Sequence, residues 1–158
     1  MRTGTGLDVH AFATDPRPLV LGGVEIPGAP GLGGHSDADV VTHALMDALL
    51  GAIAGGDLGT RFGTDDPDLQ GASSLALLEA VMGDVTVAGY AVGNVDLTVV
   101  AERPRLAPHR EAMRRRLADA LAVPIADVSV KVTSTDGIGS VGRGEGIACW
   151  ATCLLVPA

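Results

Sequence analysis

Apolar and polar positions along the chain separate helical from extended stretches. From residue 37 to residue 52, Ala, Leu, Met and Val recur at the intervals of an amphipathic helix. A second helix is predicted to begin at Ser73 or Ser74 and to end near Met82, and a third covers about residues 107–121.

Extended stretches lie between these helices. Three of them alternate polar and apolar side chains as strands do: residues 3–12, 94–101 and 128–135. Gly22 and Gly23 mark a hairpin turn within residues 19–27, and the apolar run 146–156 predicts a buried last strand. Strands and helices thus alternate loosely in an α/β pattern, and 158 residues suffice for the core of one domain, residues 1–158.

The first helix carries polar side chains at its start and along one face. Ser36 is its predicted N-cap, and Asp39 forms a capping-box-like pair with it. Asp39, His43 and Asp47 follow one another at intervals of four residues and so share a face. This spacing fits a metal ligand or acid–base group at His43, with Asp39 or Asp47 accepting its second ring N–H. It equally fits a capping Asp39, a core histidine and a solvated Asp47.

A second set of candidate metal ligands lies on the first strand. Asp8 and His10 are two residues apart, so their side chains point to the same face of that strand. A carboxylate and an imidazole side by side can hold zinc or a similar divalent ion, although one such pair is commonly accidental. Together with His43 they make a three-ligand site whose fourth position is open, as in catalytic zinc centres.

Net charge narrows the class of ligand. A formal charge of −8 argues against a nucleic-acid surface, so a polyanionic ligand would depend on a metal ion and on backbone N–H groups. Cytoplasmic location is expected, because no apolar run approaches membrane-spanning length and the N-terminus lacks the core of a signal peptide. Cys149 and Cys153 are expected to be reduced core residues.

Two glycine-rich loops are candidates for ligand binding. Residues 133–146 offer hydroxyls followed by glycines, which can cradle phosphates, with Arg143 as a charged clamp. The loop is not a Walker loop, because it lacks the Gly-Lys-Ser/Thr ending. In residues 55–67, Asp57 can accept hydrogen bonds from sugar hydroxyls, and the alternative is an ordinary solvated loop. The triple arginine 114–116 is interpreted as a solvated helix face.

Several motifs resemble those of the 2-C-methyl-D-erythritol 2,4-cyclodiphosphate synthases, enzymes of the non-mevalonate isoprenoid pathway. They occur in the family's order and span nearly the whole chain: residues 6–10, 34–39 with His43, 56–59, 93–96 and 142–148. The resemblance implies a homotrimer in which each subunit is a mixed sheet with helices on one side, an α+β sandwich. It also implies three active sites between neighbouring subunits.

The resemblance implies a phosphorus–oxygen lyase. Its substrate would be 4-diphosphocytidyl-2-C-methyl-D-erythritol 2-phosphate, and its products the cyclic diphosphate and CMP. Asp8, His10 and His43 would hold zinc or manganese, and Asp136 would serve a magnesium ion bound with the diphosphate. His35 and Ser134 would be the catalytic residues.

Further substrate contacts are implied in four groups. His35 and Ser36 would meet phosphate at the helix start, besides Asp8 and His10 at the metal. The erythritol side would contact Asp57 and Gly59. The cytosine pocket would be lined by Ala101, Glu102, Arg103, Pro104, Arg105, Leu106 and Ala107. The diphosphate would contact Thr133, Ser134 and Thr135, with Asp136 at its metal ion. Outside these groups, the substrate would also contact Leu58, Phe62, Asp66, Ser140 and Arg143.

Arg143 and Glu145 would also lie near the trimer axis, where the family has a cavity that accepts isoprenoid diphosphates. The chain departs from the family's usual pattern at residues 62–66, at Ser134 and Asp136, which keep the hydroxyl and the carboxylate, and at Ser140, where an aromatic residue is common. Two alternatives remain open: a zinc-dependent phosphohydrolase that activates water with the same ligands, and a non-catalytic cytidine-nucleotide-binding trimer.

Overall fold

The computed structural model describes residues 1–63 and 71–158. Its strands are β1 (Arg2–Ala11), β2 (Leu19–Leu21), β3 (Val24–Ile26), β4 (Tyr90–Val100), β5 (Val128–Thr133) and β6 (Gly146–Pro157). Its helices are α1 (Val40–Ala52), α2 (Leu58–Phe62), α3 (Ser74–Val87), α4 (Arg110–Leu121) and α5 (Gly139–Gly142). Single 3₁₀ turns lie at Ala107–His109 and Ile125–Asp127.

Four strands form a mixed sheet in the order β1-β6-β4-β5. β6 runs antiparallel to both of its neighbours, whereas β4 and β5 are parallel and are joined through α4. Strands β2 and β3 form a separate hairpin. The sheet contacts α1, α3 and α4, so the predicted α+β domain with a mixed sheet and helices is confirmed.

Helix α1 lies unusually close to β1, because two glycines of that strand face it. A Cβ placed on Gly4 would come within 1.9 Å of the Ala48 carbonyl oxygen, and one on Gly6 within 2.1 Å of the Ala44 carbonyl oxygen. Ten of the thirteen residues of α1 are buried, including Leu45, Met46 and Leu49. This close packing fixes the height of α1 above the strand that carries Asp8 and His10.

The N-cap of α1 is Asp39, and the prediction of Ser36 was wrong. Asp39 Oδ1 accepts the N–H groups of Val41 and Thr42 at 3.1 Å, and it also accepts the Gly22 N–H at 2.8 Å. The second oxygen accepts the Gly23 N–H and the Thr42 hydroxyl, each at 2.7 Å. The fully buried carboxylate therefore joins the helix start to the β2–β3 turn.

Other sequence predictions held or shifted. The hairpin around Gly22 and Gly23 is confirmed, and both glycines have positive φ, 56° and 70°, as a tight hairpin turn requires. Both cysteines are free and buried. Arg114 is not simply a solvated residue, because its guanidinium donates to the Val128 carbonyl at 2.7 Å and to the Ile125 carbonyl at 2.9 Å. Within the described residues, no helix combines the length and apolar character needed to cross a membrane.

Candidate active site

Three predicted metal ligands meet at one end of the sheet. Asp8 Oδ2 lies 2.9 Å from His10 Nε2 and 3.1 Å from His43 Nδ1, and these two ring nitrogens are 3.3 Å apart. Asp8 and His10 project from β1 toward α1, which supplies His43. One carboxylate oxygen and two imidazole nitrogens directed at one point form a donor set that suits a divalent metal such as zinc.

The second nitrogen of each imidazole has its own partner. His10 Nδ1 faces the Gly33 carbonyl oxygen at 2.5 Å, so it carries the proton and leaves the lone pair of Nε2 directed at the cluster. His43 Nε2 lies near the hydroxyls of Ser36 and Ser74. The hypothesis that Asp39 or Asp47 accepts the second ring N–H of His43 was wrong. Asp39 accepts the bonds described above, and Asp47 accepts the Leu58 N–H at 2.9 Å.

Charge in the cluster favours an ionised carboxylate. Burial disfavours charge on Asp8, but when the ring nitrogens of His10 and His43 that face it carry protons, their hydrogen bonds to Asp8 outweigh this effect and hold the pKa of Asp8 well below its usual range. The hydrogen bond to Asp8 raises the pKa of His10. A carboxylate that is anionic over the whole physiological range is ready to bind a cation.

The segment before α1 borders the metal ligands. Ser36 is buried and His35 is exposed. Arg17 donates to the Gly34 carbonyl at 3.0 Å and to the Ser36 carbonyl at 2.7 Å, which fixes the path of the chain here. Ala38 adopts a φ of +56°, so helical geometry cannot extend back beyond Asp39. The predicted phosphate contacts at the helix start are therefore neighbours of the metal ligands.

The predicted cytosine and diphosphate segments are linked to each other. Glu102 accepts hydrogen bonds from the Thr135 N–H at 2.8 Å, the Thr135 hydroxyl at 3.1 Å and the Gly137 N–H at 3.3 Å. The backbone bonds from Thr135 and Gly137 lower the pKa of Glu102. Within the same loop the Ser134 hydroxyl donates to Asp136 Oδ1 at 3.1 Å. Residues 101–107 and 133–137 therefore form one joined surface.

This joined surface, predicted to bind the nucleotide, and the metal ligands share one end of the sheet but not one edge. In the strand register His10 pairs with Ile147, Val100 with Ala148, and Thr133 with Val100. β1 and β5 are the two edge strands, so at about 4.8 Å per strand the two sets lie about 14 Å apart within one chain.

The comparisons with known proteins decide the family. A model of the YgbB family matches residues 1–156. The chain belongs to the YgbB family. Among curated relatives, the 2-C-methyl-D-erythritol 2,4-cyclodiphosphate synthase of Trichlorobacter lovleyi is 52% identical over 157 residues, 99% of each chain. That of Marinobacter nauticus is 54% identical over 155 residues, 98% of this chain and 97% of the relative.

Solved structures agree with the sequence relatives. A structure of 2C-methyl-D-erythritol-2,4-cyclodiphosphate synthase with CDP bound is 33% identical, with a TM-score of 0.89 over 98% of this chain and 100% of that one. The resemblance drawn from the ordered motifs is thus confirmed for this YgbB family member.

The remaining predicted residues of this YgbB family member lie in three places. Asp57 is the N-cap of α2, which includes Leu58, Gly59 and Phe62, and its carboxylate accepts the Thr60 N–H at 2.7 Å. That bond lowers the pKa of Asp57. Ser140 lies in α5, and Arg143 Nε donates to Glu145 Oε1 at 2.6 Å just beyond it. Asp66 lies outside the described residues.

Sequence reasoning missed two residues that build the site and one contact of a third. Ser74 contacts His43, and Arg17 orients the backbone before α1. Glu102, predicted only as a lining residue of the cytosine pocket, also binds residue 135 of the predicted diphosphate loop. The partners in these contacts are 31, 19 and 33 residues apart. No local pattern relates residues at such separations, so only the fold could have revealed them.

Proposed function

We propose that this chain, as one synthase domain over residues 1–158, converts 4-diphosphocytidyl-2-C-methyl-D-erythritol 2-phosphate to 2-C-methyl-D-erythritol 2,4-cyclodiphosphate and CMP. The observation that carries the proposal is the convergence of Asp8, His10 and His43 in a member of the YgbB family. Synthase relatives at about half identity over nearly the full chain, and a homologous structure with CDP bound, support it.

The reaction makes modest demands on the protein, because the attacking group belongs to the substrate. A phosphate monoester oxygen attacks the phosphorus of its own diphosphate, and the bond to the CMP oxygen breaks. Holding the two phosphates in line makes this step intramolecular, and such positioning is worth about 7 to 11 kcal/mol. The chain therefore needs to bind and orient two phosphates rather than to supply a nucleophile.

Asp8, His10 and His43 would hold zinc or manganese. A divalent cation bound there would polarise a phosphoryl oxygen and offset the negative charge that develops as CMP leaves. An acidic protein can in this way hold a highly anionic substrate. The three ligands fit such an ion, because the lone pair of His10 Nε2 and the anionic Asp8 oxygen are directed at the same point.

Four segments of the chain would hold the substrate. Ser36, with His35 beside it, would bind the phosphate nearest the metal ligands, and the N–H groups before α1 would add donors. Thr133, Ser134 and Thr135 would hold the diphosphate, with Asp136 on the magnesium that accompanies it. Residues 101–107 would accept the cytosine. The hydrogen bond from the Thr135 N–H to Glu102 joins this segment to the loop that would hold the diphosphate. Asp57, Leu58, Gly59, Phe62 and Asp66 would take the erythritol portion.

A homotrimer would complete each active site. In one chain the metal ligands and the nucleotide surface are on opposite edges of the sheet, so a neighbouring subunit is proposed to bring one to the other. The open face of the sheet supports such assembly: Leu7, Val9 and Trp150 are more than half exposed there, and Leu7 pairs with Trp150 across the strands. Arg143 and Glu145 would approach the trimer axis, where an isoprenoid diphosphate remains a predicted ligand.

A product assay tests the chemistry. Purified protein with magnesium should release CMP and the cyclic diphosphate in equal amounts, without inorganic phosphate. Asp8→Asn should abolish turnover, whereas the same change at the exposed Asp119 should not affect it. Release of inorganic phosphate from simple esters would favour a phosphohydrolase instead. Cytidine nucleotide binding without turnover would favour a binding protein.

Subunit mixing tests the shared site. A metal-ligand variant, His43→Gln, and a cytosine-segment variant that is also inactive are co-expressed in one cell. If each site joins two subunits and the variants are expressed equally, about one site in each mixed trimer, and so about a quarter of all sites, regains both intact halves. Activity that stays at the level of the separate variants would contradict a shared site.

Cytoplasmic location remains part of the proposal, since both cysteines are free thiols, as in reducing compartments.

A further inference from the structure

The ring nitrogen of His43 that faces away from the metal ligands is enclosed by two serine hydroxyls. His43 Nε2 lies 3.0 Å from Ser74 Oγ and 3.1 Å from Ser36 Oγ. Ser74 is the first residue of α3 and is fully buried, and Ser36 is also buried. Which atom carries the proton between His43 and these hydroxyls decides how His43 can bind a metal.

Asp37 settles the direction of the bond from Ser74. The Ser74 hydroxyl donates to Asp37 Oδ1, and the Ser74 N–H donates to Asp37 Oδ2 at 2.9 Å. An ionised carboxylate can only accept hydrogen bonds, and a serine hydroxyl has a single proton. Because Asp37 takes that proton, Ser74 presents only lone pairs to His43. His43 Nε2 must then carry its proton, and Nδ1 directs its lone pair at Asp8 and His10.

We propose that Asp37 and Ser74 are positioning residues for the metal ligand His43: the Asp37–Ser74 hydrogen bond selects the Nε2–H tautomer and fixes the ring so that Nδ1 binds the cation. The inference rests on the proposed metal centre at Asp8, His10 and His43. Partners that accept the second N–H of a ligating histidine raise its basicity and orient its ring.

The same arrangement has a consequence for Ser36. Ser36 Oγ accepts the Ala38 N–H at 3.2 Å, and with Nε2 protonated it is a second acceptor for His43. The proton of the Ser36 hydroxyl then has no acceptor in this cluster and is available to a substrate phosphate. Asp37 thereby orders the metal ligand and the phosphate donor together.

A purely structural role for the pair would be to tie the start of α3 to the segment before α1. Asp37 N–H donates to the Ala72 carbonyl at 3.1 Å in the same tie. If this were their only role, substitution of Asp37 or Ser74 would lower the stability of the zinc-free protein without changing its intrinsic zinc affinity. Zinc affinity is therefore the measurement that separates the two roles.

Three variants and the wild type are compared by zinc titration against a competing chelator. Ser74→Ala removes the acceptor that Asp37 fixes for His43 and leaves only Ser36, whose hydroxyl can rotate to donate instead. Asp37→Asn keeps the size of the side chain but has one acceptor oxygen in place of two. That oxygen serves either the Ser74 N–H or the Ser74 hydroxyl with the Asp39 N–H, so the amide no longer fixes the serine hydroxyl away from His43 Nε2. Ser73→Ala is the matched control, since Ser73 is exposed and makes no capping bond. Cobalt spectra report the ligand geometry, and denaturant unfolding of zinc-free samples reports stability.

Ser74→Ala and Asp37→Asn are expected to weaken zinc binding about 10- to 100-fold and to change the cobalt spectrum, with Ser73→Ala unchanged. Wild-type affinity and spectrum in both variants would overturn the inference while leaving the metal centre intact. If Ser74→Ala does not fold, Asp37→Asn decides alone. A wild type that binds no zinc would instead refute the proposed centre itself.

Discussion

Replacing Asp39 by asparagine should destabilise the protein far more than the loss of an ordinary helix cap. Asn is as good an N-cap as Asp, so the capping role alone predicts almost no change. In the native protein, however, the two carboxylate oxygens accept five hydrogen bonds in a fully buried site, from Gly22, Gly23, Val41 and twice from Thr42.

The expected loss follows from how many of these bonds an amide can keep. The asparagine oxygen can serve Gly22, Val41 and the Thr42 N–H, and the Thr42 hydroxyl can rotate to accept. The NH₂ group then faces the Gly23 N–H, which is left buried without an acceptor at a cost of about 1 to 3 kcal/mol. Loss of the charge on the remaining bonds adds about 1 kcal/mol, giving about 2 to 4 kcal/mol in total.

Urea unfolding of the zinc-free protein measures this loss. Asp57→Asn is the matched control, because Asp57 caps α2 at an exposed position with one N–H bond, to Thr60. We expect a change within about 0.5 kcal/mol for the control. A loss of unfolding free energy below about 1 kcal/mol for Asp39→Asn, or one equal to the control, would refute the conclusion that hydrogen bonds to this carboxylate hold the β2–β3 turn.

Three further predictions concern packing, pH and the metal ligands. Gly6→Ala should lower the free energy of unfolding by about 1 to 3 kcal/mol or more, because its Cβ would lie 2.1 Å from the Ala44 carbonyl oxygen and α1 would have to move. Gly83→Ala, with nothing within 4 Å of its Cβ, should instead stabilise α3 by up to about 1 kcal/mol. Equal effects of the two changes in urea unfolding would contradict the close packing of α1 on β1. The hydrogen bond to Asp8 raises the pKa of His10 above 6.5, so in zinc-free protein its contribution to stability is complete below that pH and is lost as pH rises through the raised pKa. The stability of the wild type relative to His10→Asn, measured with chelator, should therefore fall between about pH 6 and pH 8.5, and a rise would contradict the His10–Asp8 pair. Zinc binds the neutral imidazole, so zinc affinity should rise over the same pH interval. Asp47→Asn should leave zinc affinity unchanged within about twofold, since the Asp47 carboxylate accepts the Leu58 N–H at the start of α2 and not a ring N–H of His43. A loss of about tenfold would restore the discarded hypothesis.

The metal cluster could be predicted because its parts obey local rules. The two-residue period of a strand puts Asp8 and His10 on one face, and helical periodicity places His43 within a helix that must pack on that face. The local sequence does not reveal which ring nitrogen faces the cluster. That depends on Gly33, Ser36 and Ser74, each brought to the histidines by the fold.

The start of α1 shows why a local rule failed. Ser36 has the right residue type and spacing for an N-cap, but its hydroxyl bonds to the Ala38 N–H and contacts His43. Asp39 has two further donors from the β2–β3 turn, 16 and 17 residues away, and Ala38 has a positive φ. Tertiary hydrogen bonds moved the cap by three residues. The same explanation applies to Arg114, which binds carbonyls beyond its own helix.

Phosphorus NMR of the diphosphocytidyl substrate, with purified protein and magnesium, tests the proposed reaction most directly. Spectra are recorded before metal removal by a chelator, after it, and after zinc is returned. We predict a cyclic diphosphate and CMP in equal amounts, lost on chelation and restored by zinc. Inorganic phosphate as the product, or turnover that survives complete metal removal, would contradict metal-assisted cyclisation at Asp8, His10 and His43.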